Sequence, residues 1–276
     1  MDLSPVRLSA SAEASGYRLE HFGSIGSTND EAMTRARAGD PGRLWLVADE
    51  QTKGRGRSGR PWSSPKGNLL ASLLLRAPCP PSASPQIGFV AAVALHQALA
   101  EVAGLPPARL ALKWPNDLLL DGAKLAGILV EGTTAPGAAG QGDLAVVLGF
   151  GVNLVAHPTD TPYPATDCAA AGVPVSRSAL FAALADRIMH VLGLWREGSG
   201  FAEVRLEWLR RTQGLGKPIL VRRPEGDRRG TFRDLDHEGR LLLEDSAGLT
   251  VIQAGDVFPA DGGAGQDRNG DTLHGR

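Results

Sequence analysis

Apolar and polar positions fall along this chain in blocks that predict a mixture of strands and helices. Residues 17–22 open a first strand. Residues 44–48 are uniformly apolar, as a strand covered on both faces requires, and 69–75 repeat that pattern. Residues 87–103 are apolar on most faces and are stopped by Gly104 and Pro106-Pro107, which predicts a core helix. Residues 110–131 break into three apolar runs at Pro115-Asn116-Asp117 and Asp121-Gly122, the pattern of consecutive antiparallel strands. Another core strand covers 144–154, where Gly149 and Gly151 mark either close backbone packing or a bulge. Apolar residues recur at helical spacing over 176–193 and 201–211.

Past Gly214-Leu215-Gly216 the rhythm changes. Four short strand-like runs at 218–222, 230–236, 239–244 and 249–252 predict a small β-barrel. The expected organisation is a main domain over 17–213 and a small one over 214–260, with disordered ends at 1–16 and 261–276. The Pro-rich segment 155–167 is a candidate lid.

Between the strands at 44–48 and 69–75 lies the most informative stretch, Gly54-Arg55-Gly56-Arg57-Ser58-Gly59-Arg60-Pro61-Trp62. Alternate glycines let the backbone approach a ligand closely, and the guanidinium groups between them can hold phosphate or carboxylate oxygens two at a time. Ordering such a loop costs about 1–2 kcal/mol per residue, so it is expected to stay mobile until an anion orders it.

Composition narrows the partner. With Lys+Arg 29 against Asp+Glu 30 the formal net charge is -1, so positive charge is local and no global basic field for nucleic acid exists. Cys79 and Cys168 have no metal-ligand spacing, which fits a reducing compartment and gives no structural zinc site; metal ligands stay unassigned. No secretory leader and no run of about eighteen apolar residues is present, so no membrane partner is expected and the protein reads as cytoplasmic.

Several other residues can carry chemistry. Ser27 or Thr28 can cap a helix whose first turn holds Asp30 and Glu31, and the same geometry lets Ser27, Thr28 and Asn29 present polar groups to a neutral ligand; the two readings stand together. Gln51 sits at the mouth of the strand at 44–48. Lys113 and Lys124 occur where their neighbours look buried, so each needs Asp117, Glu131 or an anionic ligand close by. His96 lacks a carboxylate or second histidine at helical spacing and is read as a packed or surface histidine.

The arginine loop, Lys113-Trp114-Pro115-Asn116-Asp117 and Lys124-Leu125-Ala126-Gly127-Ile128-Leu129-Val130-Glu131, in this order, resemble the biotin protein ligases over residues 17–260. Lipoate ligases share the final lysine but lack the loop at 54–62. The resemblance implies an α+β fold: a mixed sheet with helices like that of class II aminoacyl-tRNA synthetases, followed by an SH3-like barrel. It implies that biotin and Mg-ATP give biotinyl-5′-AMP, whose acyl group passes to a lysine of a biotin carboxyl carrier protein or domain. Ser27, Thr28, Asn29 and Gln51 would then bind the ring end of biotin, with Gly127 beside it. Arg55, Gly56 and Arg57 would close over the adenylate, Lys124 would bridge the biotin carboxylate and α-phosphate, and Lys113 would meet the ATP phosphates. Trp62 would stack on adenine or anchor the loop. Asn116 and Asp117 would orient Mg²⁺ or the incoming lysine, or form a turn, and Asn153 would lie near the nucleotide. Arg57, Lys113, Lys124 and Asp117 are the catalytic candidates. Relatives that repress transcription carry a winged helix ahead of this region; about sixteen residues are too few for one, so no DNA partner is expected. A homodimer is left open.

Overall fold

The computed structural model describes residues 5–136, 142–161 and 163–260. The predicted tail at 261–276 lies outside the described residues, as do residues 1–4. The predicted disordered end is corrected over the rest: helix α1 (Ala10–Ala14) stands there, capped by Ser9, whose Oγ also reaches Asp186. Val6 and Ala12 are buried, and that small apolar footing holds the segment against the main body.

The strands are β1 (Arg18–Phe22), β2 (Leu44–Ala48), β3 (Leu69–Arg76), β4 (Leu110–Lys113), β5 (Asp117–Leu120), β6 (Ala123–Ala135) and β7 (Asp143–Val152). They form one mixed sheet in the order β1-β2-β3-β7-β6-β5-β4; β1 and β2 run parallel, and the other neighbouring strands pair antiparallel. Helices α2 (Thr28–Arg37), α3 (Ile87–Ala103), α4 (Arg177–Trp195) and α5 (Phe201–Leu209) cover it.

Period-two alternation along the strands decides which helix each face meets. Trp45, Val47, Leu73, Leu148 and Phe150 share the large core with α3, α4 and α5. Leu44, Leu46, Leu74 and Val147 form a smaller core under α2. The apolar segments Pro81–Ala103 and Arg177–Gly198 are long enough to cross a bilayer by length and composition, and here they pack on each other as core helices.

A second, antiparallel sheet follows: β8 (Pro218–Arg222), β9 (Arg228–Leu235), β10 (Leu241–Asp245), β11 (Gly248–Ile252) and β12 (Asp256–Pro259), in the order β11-β10-β9-β8-β12. The sequence pattern missed β12, whose four residues are too few to show alternation. This sheet is fastened to the first by Trp114 Nε1, which donates to Gly239 O at 3.1 Å, and by the Phe89 ring against Gly239.

Candidate active site

The site is built on bare backbone in the middle of the large sheet. One row across it runs Leu70, Gly151, Gly127, Asp117, Lys113, each paired with the next on the neighbouring strand. Because positions 151 and 127 lack side chains, the Trp62 ring settles on them. A Cβ on Gly151 would stand 2.4 Å from Trp62 Nε1, and one on Gly127 3.0 Å from the ring. Trp62 is therefore a loop anchor in this state, and its buried Nε1 has no hydrogen-bond partner among the described residues.

Lys124 and Gly127 are three apart, which in a regular strand would send them to opposite faces. They share the pocket because β5 and β6 slip: Asp117 faces Gly127 and Leu118 faces Ala126, but Leu119 faces Lys124, so Leu125 is an extra residue. That β-bulge re-aims Lys124 into the site while Leu125 is fully buried in the core. Lys124 Nζ lies 2.7 Å from Asp117, and Lys113 Nζ is 3.7 Å from the same carboxylate. Burial lowers the Lys113 pKa, with Asp117 acting against that shift and Lys124 adding to it.

At the other end of the pocket, the start of α2 is a closed hydrogen-bond network. Ser27 is the N-cap, its Oγ accepting from Asp30 N at 3.3 Å, so the capping reading of this segment holds. Gln51 Oε1 accepts from Thr28 N at 2.8 Å and from Thr28 Oγ1 at 3.0 Å. Asn29 Nδ2 donates to Glu131 at 2.8 Å, and Ser72 Oγ lies 2.6 Å from Asn29 Oδ1. A Cβ on Gly149 would fall 2.2 Å from Asn29 Oδ1, so glycine there makes room for the asparagine. Ser27, Thr28 and Asn29 are all buried and line the pocket. Such rigid, neutral polar groups suit a ring carrying amide-like donors and acceptors.

The arginine loop closes over this floor as a tight hairpin. Gly56 N donates to Arg60 O at 2.7 Å, Trp62 N to Gly54 O at 2.9 Å, and Ser58 adopts a left-handed φ of 54°. The expectation of a loop ordered only by an anion is thus corrected: protein carboxylates already meet its arginines. Arg55 Nη2 bonds Glu131 at 2.9 Å and Asp30 at 2.8 Å. Arg57 Nη1 donates to Asn116 Oδ1 at 3.3 Å and lies 3.6 Å from Asp256. Burial lowers the Arg57 pKa, opposed by the fields of Asp256 and Asp117.

Of the residues singled out in the sequence, Ser27, Thr28, Asn29, Gln51, Arg55, Gly56, Arg57, Trp62, Lys113, Asn116, Asp117, Lys124 and Gly127 all line one pocket. Asn153 is the exception: it is absent from that lining, and its Nδ2 donates to Thr166 O at 3.1 Å while its backbone N bonds Leu125 O at 2.9 Å. Its backbone continues the ladder from β7 to the bulged residue Leu125. Asn116 likewise spends Nδ2 on Ile128 O at 2.7 Å, fixing its Oδ1 toward Arg57.

Sequence reasoning missed the groups that distant segments bring in. Tyr163, from the Pro-rich segment, lies under both lysines, its ring centroid 5.2 Å from Lys124 Nζ and 5.6 Å from Lys113 Nζ. Arg222, Asp256 and Phe258 reach the pocket from the second sheet. No local pattern announces them, since their partners lie far along the chain, about forty to fifty residues away for Tyr163 and well over a hundred for Asp256 and Phe258. Among the described residues no group of three or more His, Cys, Asp or Glu could cage a metal ion.

Comparisons with known proteins point to one family. The Biotin/lipoate A/B protein ligase family matches residues 25–153, and the Biotin protein ligase C terminal domain matches 214–258. The chain is 40% identical to the biotin–acetyl-CoA-carboxylase ligase of Paracoccus denitrificans over 242 residues, 84% of this chain and 96% of that protein. It is 32% identical to the bifunctional ligase/repressor of Bacillus subtilis, covering 92% of this chain and 78% of that protein. Among solved structures it resembles the Aquifex aeolicus biotin protein ligase in complex with biotin and ATP, with TM-score 0.71, 27% identity, and 87% and 97% of the two chains covered.

Proposed function

The chain belongs to the biotin protein ligases of the biotin/lipoate A/B protein ligase family, and we propose that the pocket described above carries out the two half-reactions of that activity. It is an ATP-dependent ligase that activates biotin as biotinyl-5′-AMP and passes the biotinyl group to a lysine of a carboxylase carrier domain. One observation carries the assignment of roles within the site. A neutral hydroxyl and amide network at the start of α2 shares a single pocket with Lys113, Lys124, Arg57 and Arg60 at its other end.

In the first step a biotin carboxylate oxygen attacks the α-phosphorus, the bond to the β,γ-phosphates breaks, and pyrophosphate leaves. In the second, the neutral amine of the carrier lysine attacks the acyl carbon, the amine proton is lost, and AMP departs as the amide forms. Neither step needs a protein nucleophile. Both concentrate negative charge on phosphate and carboxylate oxygens, so fixed cations supply the stabilisation and the pocket supplies the alignment.

Lys124, half-buried and aimed by the bulge, is assigned to the carboxylate and α-phosphate; Lys113 and Arg57 are assigned to the phosphates. Asn29, Thr28 and Gln51 are assigned to the ureido end of biotin. Trp62, seated on Gly127 and Gly151, walls the space between. Asp117 and Asp256 are the carboxylates lining the pocket that would face magnesium brought in with ATP, which would neutralise phosphate charge, and both are held by cations.

Pyrophosphate exchange into ATP, run with biotin, lipoate, octanoate or no acid, tests the reading. Exchange with biotin alone is expected. Exchange with lipoate or octanoate instead would move the substrate to the sister enzymes, and none with any acid would overturn the assignment.

A further inference from the structure

The second sheet enters the site through Asp256, the first residue of β12. Arg60 holds this carboxylate with a two-pronged contact, Nη1 to Oδ2 at 2.9 Å and Nη2 to Oδ1 at 3.2 Å. Arg57 is held more loosely, 3.6 Å from Asp256 and 3.5 Å from Gly255 O. These two arginines are the tip of the loop, and Arg60 Nε donates to the Arg57 carbonyl within the same loop. Burial raises the Asp256 pKa, but Arg60, then Arg57 and Lys113, outweigh it and keep the carboxyl ionised below its usual range.

The difference between the two contacts matters. An arginine fork closed on both carboxylate oxygens is the strongest geometry for such a pair, whereas the contacts of Arg57, 3.3 Å to Asn116 Oδ1, 3.5 Å to Gly255 O and 3.6 Å to Asp256, are long and easily exchanged. Arg57 is therefore free to turn to a ligand phosphate while Arg60 keeps its grip.

We propose that Asp256 is a positioning residue for retention of the acyl-adenylate: its clasp with Arg60 fastens the loop at 54–62 to strand β12 and so keeps Arg57 and Trp62 over the bound intermediate. This rests on the adenylating activity proposed above. It gives the C-terminal sheet a defined part in the reaction, as the fixed post to which the lid is tied.

Two full-length variants and their combination test it: Asp256→Asn, Arg60→Gln, and the double substitution. The first readout needs no activity: the rate of trypsin cleavage after Arg57 in the unliganded protein. Each single variant is expected to be cut about fivefold faster, an exposed fork being worth little more, and the double variant no faster than either single one. The second readout is the half-life of radiolabelled biotinyl adenylate on the enzyme. It should shorten by a similar factor in all three, with KM for biotin unchanged and with recovery in Asp256→Glu.

Unchanged cleavage in folded Asp256→Asn, additive effects in the double variant, or a longer-lived adenylate would overturn the clasp; the last would mean that Asp256 competes with phosphate for the arginines. If the wild-type protein forms no adenylate at all, the proposed function falls while the cleavage series still decides the clasp.

Discussion

At the scale of single residues, the site depends on glycines that leave space and on polar groups that fill it. Gly149→Ala puts a methyl group 2.2 Å from Asn29 Oδ1 and must displace Asn29 from Glu131 and Ser72. The expected result is a KM for biotin raised about tenfold, the worth of one lost hydrogen bond, with KM for ATP little altered, read from steady-state pyrophosphate exchange. His96 illustrates the opposite case, a buried group with no part in the chemistry. Burial lowers its pKa from 6.5 to about 4, opposed by its contact with Leu110 O. Below pH 6.5 the unfolded chain takes up a proton that the folded one refuses, so this contribution is complete above pH 6.5 and is lost as pH falls toward about 4. The loss amounts to about 3 kcal/mol for a shift of this size. Chemical denaturation at a series of pH values should show that slope in the wild type and a shallower one in His96→Gln.

At the scale of elements, the loop at 54–62 and the bulge in β6 decide what the sheet can do. The loop's residue types were legible in the sequence, because three arginines spaced by glycine can serve few purposes other than holding an anion. Its closed conformation was not, since the partners that close it, Glu131 and Asp256, are distant in the chain. Removing the Arg57 guanidinium while leaving Arg60 and its clasp intact isolates the phosphate contact. In Arg57→Gly the bound biotinyl adenylate should leave about 10–100 times faster, as expected for the loss of one charge-assisted hydrogen bond. Filter retention of the labelled intermediate measures the rate, and biotin on bystander lysines should rise with it. Tight retention by this variant would remove Arg57 from its assigned place.

At the scale of the whole molecule, function requires two sheets to hold a common register, because the pocket takes residues from both. Gly239 is the tightest joint between them. Its φ is +84°, and a Cβ there would lie 2.3 Å from the Phe89 ring, whose neighbours are Phe201 and Trp208. Gly239→Ala therefore meets backbone strain and overpacking together, and is expected to cost about 2–4 kcal/mol, roughly 10 °C in Tm for a chain of this size. A calorimetric scan checks this. If the joint also sets the geometry of Asp256, the variant's adenylate half-life should fall well below its melting temperature, with biotin affinity little changed.

The sequence by itself determined most element types and the change to short strands after Gly216, and, through the family its motifs resemble, the mixed sheet and thirteen of the residues that line the pocket. It could do so because alternation, helical spacing and the chemistry of Gly, Arg and Lys act over a few residues. Only the tertiary structure decided that Lys124 shares a face with Gly127, since a bulge is a mismatch between two strands and neither strand alone records it. It also decided that Asn153 bonds Leu125 O and Thr166 O outside the pocket, and that Trp62 rests on backbone bared by Gly127 and Gly151. Tyr163, Arg222, Asp256 and Phe258 join the site for the same reason: long-range neighbours are chosen by packing, which no local pattern encodes.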